Sequence, residues 1–134
     1  MSGRLKIPER LYHIPWADCG RGWSGCDCYG LVRLAAREIF GQELPTLDEN
    51  YASVKDRETL EQLIFKHSGK FKRVQEPQPG DLVLFRIIGF NSHIGLVLEP
   101  DRFMHMWKGA GVGIERFMGP KWVHRIEGFY RHAA

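Results

Sequence analysis

Three cysteines cluster near the N-terminus, and one of them lies where a reactive thiolate is expected. Cys19, Cys26 and Cys28 fall within ten residues, and the rest of the chain has none. Cys28 follows Asp27, a good N-cap, so it belongs to the first turn of a predicted helix, where unpaired N–H groups and the helix dipole favour an anion. Cysteines in such positions have a pKa of about 3.5–7.5 instead of about 8.5. The pattern indicates a nucleophile at Cys28, against the alternative of a buried structural cysteine.

A nucleophilic cysteine needs a base, and His93 and His105 lie on successive predicted strands. A three-residue loop at Glu99–Asp101 would place Gly95 opposite His105, and the period of two along a strand would bring His93 to the same face. The two imidazoles would then be diagonal neighbours, meeting in the space left by Gly95. A two-residue loop would send them to opposite faces, so the prediction of a catalytic pair depends on an odd loop.

The cysteines do not have the spacing of a metal site or a disulfide framework. They follow the pattern C-x6-C-x-C, with His13 as the nearest imidazole, whereas zinc sites use paired ligands at CxxC-like spacing. Three clustered thiols would also leave one unpaired in any disulfide arrangement. We therefore expect no metal, no cofactor and no disulfide.

Length and composition predict one globular domain spanning residues 1–134. Hydrophobic residues make up 43% of the 134 positions and charged residues 26%, a balance that excludes disordered and fibrous classes. The net charge of +3 is too small and too dispersed for a nucleic-acid binder. The first ten residues contain four charged side chains and no apolar run, so we expect neither an export signal nor a membrane span there. We expect the protein to be made in the cytosol.

The elements that must position these residues form an α+β plan. Residues 1–26 are rich in proline and glycine and are predicted to be a loop-rich approach. A helical period follows over Asp27–Phe40 and ends at Gly41, and a second helix is predicted over Asp56–His67. After it, the pattern predicts an antiparallel meander of about five strands, at Leu82–Ile88, His93–Leu98, Phe103–Trp107, Val112–Phe117 and Arg125–Tyr130.

Four ordered motifs, spread over most of residues 12–130, resemble the NlpC-type cysteine peptidases, a papain-like superfamily of cell-wall hydrolases. They are DCYGLV at 27–32, PGDLVLF at 79–85, HIGLV at 93–97 and FMH at 103–105. The segments FGQELP at 40–45 and GFYRH at 128–132 resemble most the subgroup from bacteriophage tails and gene transfer agents. The resemblance implies a papain-like fold in which N-terminal helices pack on a five- to six-stranded antiparallel sheet.

The resemblance also implies roles for individual residues. Cys28 matches the nucleophile, His93 the general base and His105 the polar residue that orients the base. Two positions depart from the family pattern, and both are candidates for lining the substrate or oxyanion site. Tyr29 replaces a serine, and Trp16 stands where the family commonly has a tyrosine, so it can donate a hydrogen bond but not accept one.

The substrate that this resemblance implies is the stem peptide of peptidoglycan, often at the bond between D-γ-glutamate and diaminopimelate. The expected partners are that peptide and the proteins of a phage tail tip, with delivery to the cell wall in the tail or a similar particle. Three alternatives stay open: a catalytically idle structural module of the tail tip, an interbacterial amidase toxin with the same chemistry, and an acyltransferase on a related fold.

Overall fold

A computed structural model describes residues 5–18, 20–45, 70–87 and 90–132 of the chain. Cys19 and the second predicted helix, Asp56–His67, lie outside these residues. Within the described ranges no helix has the length and apolar character needed to cross a membrane.

The described residues form one α-helix, two short 3-10 helices and eight strands. In chain order these are a 3-10 helix at Glu9–His13, β1 (Arg21–Gly22), β2 (Gly25–Cys26), α1 (Cys28–Phe40), β3 (Phe71–Val74), β4 (Leu82–Ile87), β5 (Phe90–Glu99), β6 (Arg102–Trp107), β7 (Gly111–Arg116), a 3-10 helix at Val123–Arg125, and β8 (Ile126–His132).

The helix α1 begins and ends where the sequence predicts. The carboxylate of Asp27 accepts a hydrogen bond of 2.8 Å from the N–H of Gly30, as an N-cap does. At the other end Gly41 adopts the left-handed conformation, with φ of 66°, and its N–H donates to the carbonyl of Arg37. Leu31 and Ala35 lie on the fully buried face. Both ends of the predicted helix are therefore confirmed.

The large sheet has six antiparallel strands in the order β3-β8-β4-β5-β6-β7. The predicted meander holds from β4 to β7, but it is wrong for the last strand. Instead of pairing with β7, β8 crosses back and inserts between β3 and β4. The strand β3 was not predicted, because its four residues alternate poorly between buried and exposed positions.

Each face of the sheet carries its own apolar cluster. The larger cluster joins α1 to one face, where it includes Leu84, Ile94 and Met104. The smaller cluster contains Phe85, Phe103 and Trp122 and covers the opposite face, because successive side chains along a strand alternate between faces. Burial on both faces fixes the register of the central strands, since a slip of one residue would exchange the two clusters.

The hairpin between β5 and β6 reaches the predicted register by a different route. Glu99 pairs with Arg102, so the loop has two residues instead of the three expected. A bulge at Leu98 then shifts the register, and Val97 pairs with Phe103. Continued along the strands, this pairing places Gly95 opposite His105, as predicted. The expected loop length is therefore wrong, and the extra residue lies in the strand.

Candidate active site

Cys28 is the first residue of α1, and its side chain is only 2% exposed. The segment before it folds back on the first turn of the helix through backbone hydrogen bonds. Cys26 donates to the carbonyl of Pro15, and Asp27 donates to the carbonyl of Gly20. A side chain at Gly30 would overlap that same carbonyl of Gly20, so the loop and the first helical turn are in close contact. The N-terminal loops and the capped helix together fix the position of Cys28.

The two predicted histidines meet on β5 and β6. Nε2 of His93 lies 2.8 Å from Nδ1 of His105, and the two rings are nearly perpendicular, at 78°. The exposed fractions are 5% and 3%. The predicted contact between the imidazoles is therefore present. The imidazoles do not meet in the space left by Gly95, as was expected. The ring of Phe103 occupies that space, 2.6 Å from where a Cβ would lie.

A carboxylate that the sequence analysis did not single out extends this pair. Oε2 of Glu115, on β7, lies 2.7 Å from Nε2 of His105, and Oε1 accepts a 2.8 Å hydrogen bond from the indole N–H of Trp122. Because His105 pairs with Gly113, Glu115 is two residues further along β7 and on the same face. A sequence analysis could have found Glu115 only by predicting this register between β6 and β7. The result is a hydrogen-bonded chain across three strands and the residue Trp122.

Aromatic rings surround the two imidazoles. Trp122, itself 2% exposed, stacks on His93 at a centroid distance of 5.8 Å and meets His105 edge-on at 5.2 Å. Trp107 lies 4.8 Å from His93, and Phe103 lies 4.7 Å from His105. Such packing holds the rings in fixed orientations and keeps water from much of their surface.

This burial favours the neutral form of both histidines. It lowers the pKa of His93 well below 6.5, and the neighbouring His105 lowers it further. Burial also lowers the pKa of His105, although the hydrogen bond and charge of Glu115 oppose this. Partial burial tends to raise the pKa of Glu115, but hydrogen bonds from Trp122 and His105 lead to a net lowering. The electrostatics thus favour two neutral imidazoles beside an ionised carboxylate.

The remaining candidates of the sequence analysis lie in the N-terminal part of the fold. Tyr29 is fully buried, and its hydroxyl donates a 2.6 Å hydrogen bond to the carbonyl of Pro45. Its backbone N–H belongs to the first turn of α1, beside that of Cys28. Trp16 forms an isolated parallel bridge with Cys26 and packs against the larger cluster. Both residues therefore border the segment that positions Cys28.

The structure joins His93 to His105, and His105 to Glu115, by hydrogen bonds. Cys28 approaches from α1, which packs on β5 and β6, the strands that carry the two histidines. Its side chain belongs to the larger cluster, whereas the imidazoles lie among the residues of the smaller one. The pairing of Cys28 with His93 is therefore part of the proposal made below. Among the described residues, no group of three acidic, histidine or cysteine side chains is placed to hold a metal ion.

Solved structures define the class of this fold as the α+β papain-like architecture. The chain superimposes on an NLP/P60 family protein from Staphylococcus aureus with a TM-score of 0.61 and 20% identity, covering 93% of this chain and 38% of that one. The NlpC/p60 domain of the peptidoglycan hydrolase SagA gives a TM-score of 0.56 at 17% identity, covering 90% and 88%. At these identities the likeness concerns the fold.

The family follows from the sequence: the profile of the NlpC/P60 family matches residues 14–131, and the chain belongs to that family. Among its relatives is the murein DD-endopeptidase MepS/murein LD-carboxypeptidase of Escherichia coli K12, 35% identical over 102 residues, or 76% of this chain and 47% of the relative. A probable endopeptidase NlpC homolog of Haemophilus influenzae is 34% identical over 99 residues, or 74% and 45%. The chain spans about half the length of these curated relatives.

Proposed function

We propose that the protein is a cysteine endopeptidase that hydrolyses the peptides of peptidoglycan. The observation that carries this proposal is the 2.8 Å contact between His93 and His105, two buried imidazoles on strands that pack against the helix beginning at Cys28. Membership of the NlpC/P60 family and relatives named as murein endopeptidases support the same substrate class.

The proposed reaction has two stages with one covalent intermediate. The thiolate of Cys28 attacks the carbonyl carbon of a peptide bond, and the backbone N–H of Cys28 with a neighbouring donor stabilises the oxyanion. The bond from carbon to nitrogen then breaks, and His93 gives the proton taken from the thiol to the leaving amine. Water attacks the thioester while His93 accepts one of its protons, and the acid product and the thiol are released.

His105 has the orienting role in this scheme. Its ring holds Nε2 of His93, so that Nδ1 of His93 is the nitrogen that would exchange a proton with Cys28. In related triads an Asn or Asp orients the base. An imidazole can take this role because it also accepts and donates hydrogen bonds.

Mass spectrometry of purified cell-wall fragments after incubation with the protein tests the proposal. We expect cleaved stem peptides from the parent and none from Cys28→Ala. Cys26→Ala is the matched control, because Cys26 is also buried, lies two residues earlier and has no part in the reaction. Absence of cleavage by the parent, together with no alkylation of Cys28 by iodoacetamide at neutral pH, would favour the structural module.

A second experiment tests the pairing of the nucleophile with its base. The bifunctional reagent 1,3-dibromoacetone bridges a thiol and an imidazole that lie within one short linker of each other. We expect a cross-link between Cys28 and His93 in the parent and only a singly alkylated Cys28 in His93→Gln. A cross-link from Cys28 to another residue would contradict the assignment of the base.

The bond and the setting are finer parts of the proposal. We propose cleavage between D-γ-glutamate and diaminopimelate by an enzyme carried in a phage tail or a similar particle, on the resemblance of residues 40–45 and 128–132 to that subgroup. The Escherichia coli relative is named for DD-endopeptidase and LD-carboxypeptidase activities. The assay that identifies the bond should therefore offer both cross-linked muropeptides and free stem peptides.

Proteomic analysis of purified particles tests the setting. Absence of the protein from the particles would make the interbacterial toxin the better explanation.

A further inference from the structure

We infer that Glu115 is a positioning residue of this site: through His105 it determines which nitrogen of His93 carries the proton. The inference rests on the proposed function for its catalytic meaning, and on geometry for the proton arrangement. Glu115 is hydrogen-bonded to His105, and His105 in turn to His93, so the effect of Glu115 on His93 would pass through the ring of His105.

The proton arrangement follows from donors and acceptors. An ionised carboxylate only accepts hydrogen bonds, so Nε2 of His105, 2.7 Å from Oε2 of Glu115, must be the donor. A neutral His105 then has its lone pair at Nδ1 and accepts from Nε2 of His93, 2.8 Å away. This leaves the lone pair of His93 at Nδ1, the nitrogen that must take the thiol proton.

The surroundings of Glu115 support an ionised and correctly turned carboxylate. The indole N–H of Trp122 occupies Oε1 at 2.8 Å, and the ammonium of Lys121 lies 3.8 Å from the same oxygen. Oε2 is thereby turned toward His105. The side chain of Glu115 is 33% exposed while that of His105 is 3% exposed, so the charge is in contact with water and the imidazole is not.

Glu115→Gln tests the inference with almost no change in volume. The amide oxygen would accept from Trp122, and the amide NH2 would then face Nε2 of His105. His105 would have to accept there, donate from Nδ1, and force His93 to carry its proton at Nδ1, which is the wrong tautomer for a base. We expect kcat to fall by about 10²-fold with little change in KM. Glu115→Asp keeps an acceptor and should restore part of the activity.

Glu127→Gln is the matched control. This carboxylate also accepts from an aromatic donor, the hydroxyl of Tyr130 at 2.8 Å, but it lies on β8 and outside the hydrogen-bonded chain. Its kcat should equal that of the parent. Because Glu115 acts through His105, adding Glu115→Gln to His105→Gln should cause no further loss.

The tautomers themselves can be measured without any substrate. Long-range 1H–15N spectra separate a ring nitrogen that bears a proton from one that bears a lone pair, and His93→Gln and His105→Gln assign the signals. We expect both rings of the parent to be protonated at Nε2 and both to change in Glu115→Gln. A parent with His93 protonated at Nδ1 overturns the inference, whether or not the protein cleaves peptidoglycan.

The two proposals can therefore fail separately. If the parent cleaves nothing, the proposed function fails, and the spectra still decide the role of Glu115. If the parent cleaves peptidoglycan and Glu115→Gln is equally active with unchanged spectra, the proposed function stands and the inference is wrong.

Discussion

Acidification should destabilise this fold through its two buried imidazoles. Burial lowers the pKa of His93 and of His105 below 6.5, so the unfolded chain binds protons near pH 6.5 that the folded chain does not. The free energy of unfolding then rises with pH and falls as the pH is lowered through 6.5. In addition, the hydrogen bond between the rings needs a lone pair, which is lost when both rings are charged.

The size of the effect follows from the unfolded chain alone. One pH unit below 6.5, proton uptake by one unfolded histidine is worth at most about 1.4 kcal/mol, so the two together lower the free energy of unfolding by at most about 2.8 kcal/mol between pH 7.5 and 5.5. His93, whose pKa is lowered further, accounts for the larger part. The pKa values of Asp101 and Glu115 are lowered from ordinary carboxylate values, so both groups titrate below this window.

Urea unfolding at pH 7.5 and 5.5 measures the difference. We expect His93→Gln to lose less stability than the parent over this interval, by at most about 1.4 kcal/mol. His124→Gln, which removes an exposed histidine, should behave as the parent does. The pKa of His132 is also lowered, but His132 is present in every variant, so its contribution to the pH dependence cancels in the comparison. Equal unfolding free energies of the parent at the two pH values, or an unchanged pH dependence in His93→Gln, would refute the reasoning.

Two further substitutions probe the supports of the site. Gly30→Ala drives a methyl group into the carbonyl of Gly20, so it should lower the free energy of unfolding by about 1–3 kcal/mol and slow the alkylation of Cys28. Gly22→Ala is the control, because its methyl group meets only open space, and it should have neither effect. Arg131→Ala removes both side-chain hydrogen bonds, of 2.8 and 2.9 Å, to the 2% exposed carboxyl of Asp81. We expect a lower free energy of unfolding in urea, with a smaller loss than for a fully buried pair because the guanidinium is partly exposed. No loss would show that water replaces it.

Local signals explain the parts of the fold that the sequence predicts well. The N-cap at Asp27 and the left-handed Gly41 act within one turn of the helix they bound, so α1 follows from a short stretch of sequence. Alternating apolar residues likewise predict the strands from β4 to β7. The position of β8 depends on contacts with β3 and β4 more than forty residues away in the chain, which no local pattern encodes.

The site shows the same division between local and distant causes. Cys28 and the two histidines could be found from a helix start and from strand periodicity. Glu115 requires the register between β6 and β7, where His105 pairs with Gly113, and in isolation a glutamate on a half-buried strand indicates only a solvated face. The two-residue loop also escaped prediction, because a bulge can be placed at several positions and leaves no residue signature in Val97-Leu98-Glu99.

The bulge at Leu98 has a consequence for how this hairpin can change length in evolution. If Leu98 paired with Phe103 instead of forming the bulge, His105 would stand opposite Leu96 and face the larger apolar cluster, away from His93. Deleting Leu98 removes the bulge and leaves Val97 paired with Phe103, so the histidines should stay together. Homologous chains can therefore gain or lose a residue at the tip of this hairpin by forming or losing a bulge, provided that the positions of Val97 and Phe103 stay paired.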